Sequence, residues 1–280
     1  MPSLRVFALT SLAMLAFAGN SLLCRLALAH TAIDPASFTA IRMISGAAML
    51  AVAVRLRGGH WRVQGSWPSA LALLAYAVAF SFAYVGLSAA TGALLLFGAV
   101  QATMIGVALA RGERLHGAQL AGLALACAGL VALLLPGLAA PPLGRAALML
   151  GAGVAWGAYS LRGQGAGDAT AVNAGNFLRA TPIALALSLV LAYGRPADPA
   201  GIGYAVASGA LASGVGYAIW YAALPSLRST TAAVVQLSVP ALATLGGALL
   251  LGEPITARVV LASAAILGGI GIVVRGRRRS

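Results

Sequence analysis

Phe17, Asn20 and Ser21 stand at i, i+3 and i+4, so a helix would carry them on one face. Trp156, Tyr159 and Ser160 repeat that spacing in the second half of the chain. Tyr76, Phe80 and Tyr84 form a stripe at i, i+4 and i+8, and Tyr217, Trp220 and Tyr221 form a related one further on. Such rings suit recognition, not bond-making. Their faces take apolar groups and their hydroxyl or indole tips take polar ones. Plain helix packing would use the same stripes, but their recurrence on four helices favours a cavity. Asn20, Gln236 and Thr91 are the amides and hydroxyl expected to bond a ligand's polar end.

Reactive groups are scarce. The acids are Asp34, Glu113, Asp168, Asp198 and Glu253, and the histidines are His30, His60 and His116. All are expected in loops or at helix ends. Intramembrane hydrolysis or metal-assisted transfer would need such groups at a shared depth. No catalytic residue, metal site or cofactor is therefore expected, and an enzyme is disfavoured. Gly112–Glu113 and Gly252–Glu253 read as helix caps, with glycine ending one helix and the acid and Pro254 opening the next. Arg42 and Arg179 match across the halves, each near a phenylalanine, and are expected near opposite faces of a membrane. Snorkelling or a carbonyl partner would explain them. Alternatively, they gate a pathway or meet a substrate carboxylate.

The elements that position these residues follow from composition. The 280 residues are 61% hydrophobic and 8% charged, where a soluble domain carries roughly 25% charge. The mean hydropathy is +0.95. No water-soluble surface can be built from so few charges, so the lipid bilayer is the expected surrounding. The formal charge of +13 comes from arginine. Arginine in loops sets membrane orientation, so nucleic acid is not an expected partner. Cys24 and Cys127 lie in apolar runs and read as small core residues. The first apolar run, ending in Ala27–Leu28–Ala29, has features of a cleaved leader, but Asn20 and Arg25 interrupt it, and an uncut helix is expected.

Ten apolar spans can be counted, at 6–28, 38–54, 68–87, 90–110, 115–135, 145–162, 175–193, 202–224, 231–251 and 256–274. With both termini cytoplasmic, twelve arginines face inward, and only Arg145, Arg195 and Arg258 face outward. Thr91, Ala93, Gly106, Gly112, Glu113 and Gly129 recur half a chain later as Thr231, Ala233, Gly246, Gly252, Glu253 and Gly269. The chain reads as a duplication, with repeats at 1–140 and 141–280. Five helices per repeat is an odd number, so the copies must be inverted. The expected fold is an all-α polytopic membrane protein of ten transmembrane helices in two inverted five-helix repeats. Gly157, Gly214, Gly216 and a mid-span Pro240 are expected hinges, and Pro182 an interruption of the seventh helix. Gly122, Ala126 and Gly129 form a small-residue face suited to packing.

The duplicated segment, a small-residue helix ending in Gly–Glu and followed by a glycine-rich helix, resembles the EamA-type repeat of the drug/metabolite transporter superfamily. That resemblance implies ten helices in two inverted repeats and export of amino acids or other metabolites. Its YddG-like members export aromatic amino acids through an aromatic cavity. Smaller four-helix relatives use a glutamate in the first helix for proton exchange, and Phe17 and Asn20 hold the comparable depth here. The expected activity is thus alternating-access export of small metabolites, aromatic or other apolar amino acids foremost, across the bacterial inner membrane. Facilitative uniport by a monomer is expected. Helices one, three, four, six, eight and nine should surround the cavity, and five and ten should brace the outside. Rival readings are multidrug or lipophilic-cation efflux through cation–π contact and export of nucleotide-type metabolites.

Overall fold

The computed structural model describes residues 4–58, 64–112, 116–135, 140–163, 167–191, 197–223, 226–227 and 235–276. Among these the regular elements are ten helices, with no strand. They are α1 (Leu4–His30), α2 (Pro35–Leu56), α3 (Trp67–Tyr84), α4 (Ala89–Ala110) and α5 (Gly117–Leu134). They continue as α6 (Leu143–Gly163), α7 (Ala169–Leu191), α8 (Pro199–Ala207, Ser208–Val215 and Gly216–Ala223), α9 (Ser238–Leu251) and α10 (Ala257–Gly276). Seven, α1 to α5, α7 and α8, are long and apolar enough to cross a membrane. α9 and Ala257–Val273 of α10 are apolar but shorter. α6, with Arg145 and Arg162 near its ends, is less apolar.

Local chemistry sets the helix starts. Asp34 accepts the N–H groups of Ala36 and Ser37, both at 2.9 Å, and Pro35 opens α2. Ser66 and Ser88 cap α3 and α4 in the same way. Each supplies an acceptor to N–H groups that a first turn leaves unpaired. Asp168 accepts from Thr170 and Ala171, so α7 starts at Ala169, six residues before the apolar span suggested. Gly112 and Gly252 sit at φ 91° and φ 63° just past α4 and α9, the left-handed geometry expected of them.

Three expectations about breaks change. α7 runs through Pro182. Pro240 falls in the first turn of α9 and not mid-span. With no N–H, Pro240 cannot donate to the Gln236 carbonyl, and the helical residues Val235–Gln236 stop at Leu237. The third change is in α8, where Ser208–Val215 forms a π-helix, a wider coil common at functional sites.

Packing depends on small residues, as in other lipid-embedded bundles. α5 and α10 lie against each other. A Cβ built on Gly122 would come within 2.6 Å of the Gly269 carbonyl, and one on Gly269 within 2.4 Å of the Gly122 carbonyl. Gly129 meets Ala265 and Ile266. The small-residue face read from the sequence therefore packs on α10, and the pair reaches the rest of the bundle mainly through α4. α2 packs on α7 and on the π segment of α8, while α6 packs on α3 and α4. Gly209 lets the π segment approach α2, because a Cβ there would strike Ser45 and the Arg42 carbonyl. Cys24 is buried as expected, but Cys127 is exposed on α5, away from the core.

Candidate substrate site

Helix faces bring the rings together at the centre of the bundle. Tyr76 and Phe80 of α3 lie with ring centroids 5.3 Å apart. Trp156 of α6 packs at a tilt, 4.8 Å from Tyr76 and 5.2 Å from Tyr217 of α8. Phe17 of α1 sits edge-on to Tyr217 and Trp220, at 5.9 Å and 6.1 Å. Each contact of this kind contributes roughly 0.5–1.5 kcal/mol beyond area burial. A narrow cavity lies among them, with about 20 Å³ of water-accessible space in this arrangement. Its walls are Phe17, Asn20 and Ser21 of α1, Tyr76 and Phe80 of α3, Leu96 and Phe97 of α4, Trp156 of α6, and Ala212 and Tyr217 of α8.

A polar network borders the same cavity. Ser208 of the π segment donates to Asn20 Oδ1 at 2.7 Å, and Asn20 Nδ2 donates to the Tyr76 hydroxyl at 3.3 Å. Arg42 Nη2 donates to that hydroxyl at 3.1 Å. Arg42 Nε and Nη2 also approach Ser213 Oγ, each at 3.4 Å. The Arg42 guanidinium packs over the Tyr76 and Phe80 rings, 5.2 Å from each centroid. This corrects the expected position of Arg42. It lies roughly two turns inside α2 and is fully buried, not near a face. Its Nη1 has no hydrogen-bond partner among the described residues. The core of the bundle therefore holds an ionisable side chain, a cation.

Other expected site residues fall elsewhere. Tyr84 is buried against Phe80, with its hydroxyl directed at the Ala89 carbonyl, and does not line the cavity. Thr91 belongs to the α4 cap, its N–H donating to Ser88 Oγ at 3.2 Å and its hydroxyl accepting from Ser88. Trp220 touches Phe17 from outside the lining. Gln236 is half-buried before α9, and neither it nor α9 contributes a wall. The side chain of Tyr221 lies outside the described residues. Gly157, Gly214 and Gly216 each sit at a close helix contact, against Thr103, Met49 and Ala16. Arg179 donates to the Gln64 and Gly175 carbonyls, the carbonyl pairing that the sequence allowed.

Tyr159 lines a second, more polar cleft with about 10 Å³ of water-accessible space, where α3 begins and α6 ends. It bonds Asn173 and Asn176 there, while Arg162 donates to Ser69. Sequence reasoning missed Asn173, Asn176, Ser208 and Ser213. The signal was available, since each is a polar residue inside an otherwise apolar helix.

Glu253 also departs from expectation. It does not open α10, which starts at Ala257, and Pro254 is not a first helical residue. Its carboxylate instead accepts the Ala89 N–H at the start of α4, at 2.8 Å, and holds Arg25 Nε at 2.8 Å. Arg25 Nη1 donates to the Tyr84 and Val85 carbonyls. One carboxylate thereby ties the ends of α3 and α9 to the start of α4 and the late part of α1. Glu113, its counterpart, lies outside the described residues.

Apolar helices gathered around an aromatic cavity define a multi-pass membrane protein. The sequence profile of the EamA-like transporter family matches residues 145–275. An uncharacterised protein of Pseudomonas aeruginosa is 58% identical over 278 residues, 99% of this chain and 97% of that one. An uncharacterised transporter of Archaeoglobus fulgidus is 41% identical over 76 residues, 27% of this chain and 28% of its own. A crystal structure superposes with a TM-score of 0.71 at 20% identity, covering 98% of each chain, and shares the fold. The second half of the chain thus matches the EamA-like transporter family, a family of membrane transporters.

Proposed function

We propose that the protein exports small metabolites bearing an apolar or aromatic group, amino acids among them, across the bacterial inner membrane. The observation that carries this reading is the ring-walled cavity bordered by the Ser208–Asn20–Tyr76–Arg42 network. Rings would hold the substrate's apolar part while hydroxyl, amide and guanidinium groups hold its polar part. Transport alternates between two arrangements of inverted repeats, 1–140 and 141–280, with both termini cytoplasmic. Supporting this, helices five positions apart pack on one another: α2 on α7, α4 on α9 and α5 on α10. A buried guanidinium beside the rings disfavours lipophilic cations as substrates.

The described acids all lie at helix ends, so transport is expected to run down the solute gradient without proton coupling. Labelled phenylalanine in proteoliposomes tests this. Efflux is expected without a pH gradient, and an imposed gradient is expected to drive none uphill. Trp156→Ala is expected to reduce flux at least tenfold, the cost of about 1.4 kcal/mol of ring contact. Uphill movement would sink the uniport reading, and unaltered flux in Trp156→Ala would sink the aromatic cavity.

A further inference from the structure

We propose that a carboxylate is the group this cavity recognises, and that its preferred substrate is an aromatic or apolar monocarboxylate anion whose amino group is dispensable. The proposal rests on the aromatic-cavity reading above and deepens it by naming the substrate's charge.

The argument is a charge inventory. Arg42 is wholly buried and stands behind Tyr76 and Phe80, two rings of the cavity wall. Among the described residues its partners are hydroxyls and ring faces, and Nη1 has none. A buried cation without a counter-charge is costly in any low-dielectric interior, and more so in a membrane. The described carboxylates are all engaged elsewhere. Asp34 caps α2, Asp168 caps α7, Asp198 accepts the Ala32 N–H, and Glu253 holds Arg25 and Ala89. Among the described residues, therefore, nothing neutralises Arg42, and no acid borders the cavity to meet an ammonium.

Tyr76 carries this charge to the cavity. Its oxygen accepts N–H groups from both Arg42 and Asn20, while its own hydrogen has no acceptor among the described residues. Two donors on the oxygen polarise the O–H bond and make it a stronger donor to an anion. A carboxylate at that hydroxyl completes the chain and balances the guanidinium. A zwitterion leaves the site with its excess positive charge, and an amine adds a second one. The rings treat all three alike, so the charge decides.

Three ligands sharing a phenyl ring and a short arm separate the cases: 3-phenylpropanoate, L-phenylalanine and phenethylamine. Each is titrated against the purified full-length protein, with tryptophan fluorescence from Trp156 and Trp220 as readout. We expect 3-phenylpropanoate to bind most tightly, phenylalanine less so, and phenethylamine more than about tenfold more weakly than the carboxylate. Tyr76→Phe and Arg42→Gln are each expected to weaken 3-phenylpropanoate about fivefold or more, the loss of one charge-assisted bond. Tyr76→Phe keeps the ring and its packing, so it reports even if Arg42→Gln fails to fold. If phenylalanine or phenethylamine binds as tightly as 3-phenylpropanoate, the charge inference is overturned while the aromatic cavity stands. Unchanged affinity in Tyr76→Phe overturns the inference too. If no ligand binds, both readings fall.

Discussion

Arg25 and Arg42, on consecutive helices, have opposite surroundings. Arg25 keeps a side-chain exposure of 20%, meets a carboxylate at 2.8 Å and donates to two carbonyls. Arg42 is fully buried, and among the described residues it meets hydroxyls and ring faces but no carboxylate. The first region is complete: every charge has an opposite, and the group ties four helices at their ends. The second is incomplete in charge although dense in packing. Stability alone would be served as well at position 42 by a side chain without charge, since replacing buried ions by apolar groups is often neutral or favourable. The difference teaches that a cation's partners, more than its depth, separate a structural clasp from a recognition element.

The largest expected effect tests the clasp. Glu253→Ala removes the partner of Arg25 and the acceptor for the α4 amide in one step. Each loses a charge-assisted bond in a mostly buried setting, so about 2–3 kcal/mol of stability should go. The apparent Tm in detergent should fall by roughly 5 °C or more. An unaltered Tm would show that the two arginine regions differ less than their geometry implies.

Position in the fold explains which features could be read from the chain. The spans were legible because lipid demands long apolar runs, and the caps at Gly112 and Gly252 because only glycine takes their backbone cheaply. The ring stripes of Phe17, Tyr76 and Phe80 were legible because helical spacing alone places them on faces. The depth of Arg42 was not legible, because it depends on which helices cover α2, and α7 and the π segment of α8 do so from the far half of the chain. Glu253 was read as a cap for its own following helix, yet it caps α4, which is distant in sequence. The π segment itself left no recognised mark. Its serines, Ser208 and Ser213, gain meaning only from Asn20 and Arg42 across the interface.

Arg42→Gln is expected to have a smaller effect on stability and a larger one on transport. Removing an unbalanced cation relieves desolvation while forfeiting weak hydroxyl and ring contacts, so Tm should stay within a few degrees or rise, a change of about 1 kcal/mol or less. Flux of a carboxylate substrate in proteoliposomes should fall sharply in the same preparation. The pairing of readouts matters. If Tm drops as far as in Glu253→Ala, Arg42 is a second clasp and the contrast disappears.

Ser213→Ala sharpens the comparison at its smallest scale. Ser213 Oγ receives Arg42 Nε and Nη2 at 3.4 Å each, near the limit at which a hydrogen bond retains strength. Losing two long contacts should cost only about 0.5 kcal/mol of stability. Its effect on binding is the more informative quantity. If Ser213 merely occupies the guanidinium, its removal leaves the N–H groups freer, and affinity for 3-phenylpropanoate should hold or rise. If Ser213 instead orients Arg42 towards Tyr76, affinity should fall more than about threefold, a difference of roughly 0.7 kcal/mol. The first outcome keeps Arg42 as a cation short of partners. The second makes it a built and supported site, closer in kind to Arg25 than its missing carboxylate suggests.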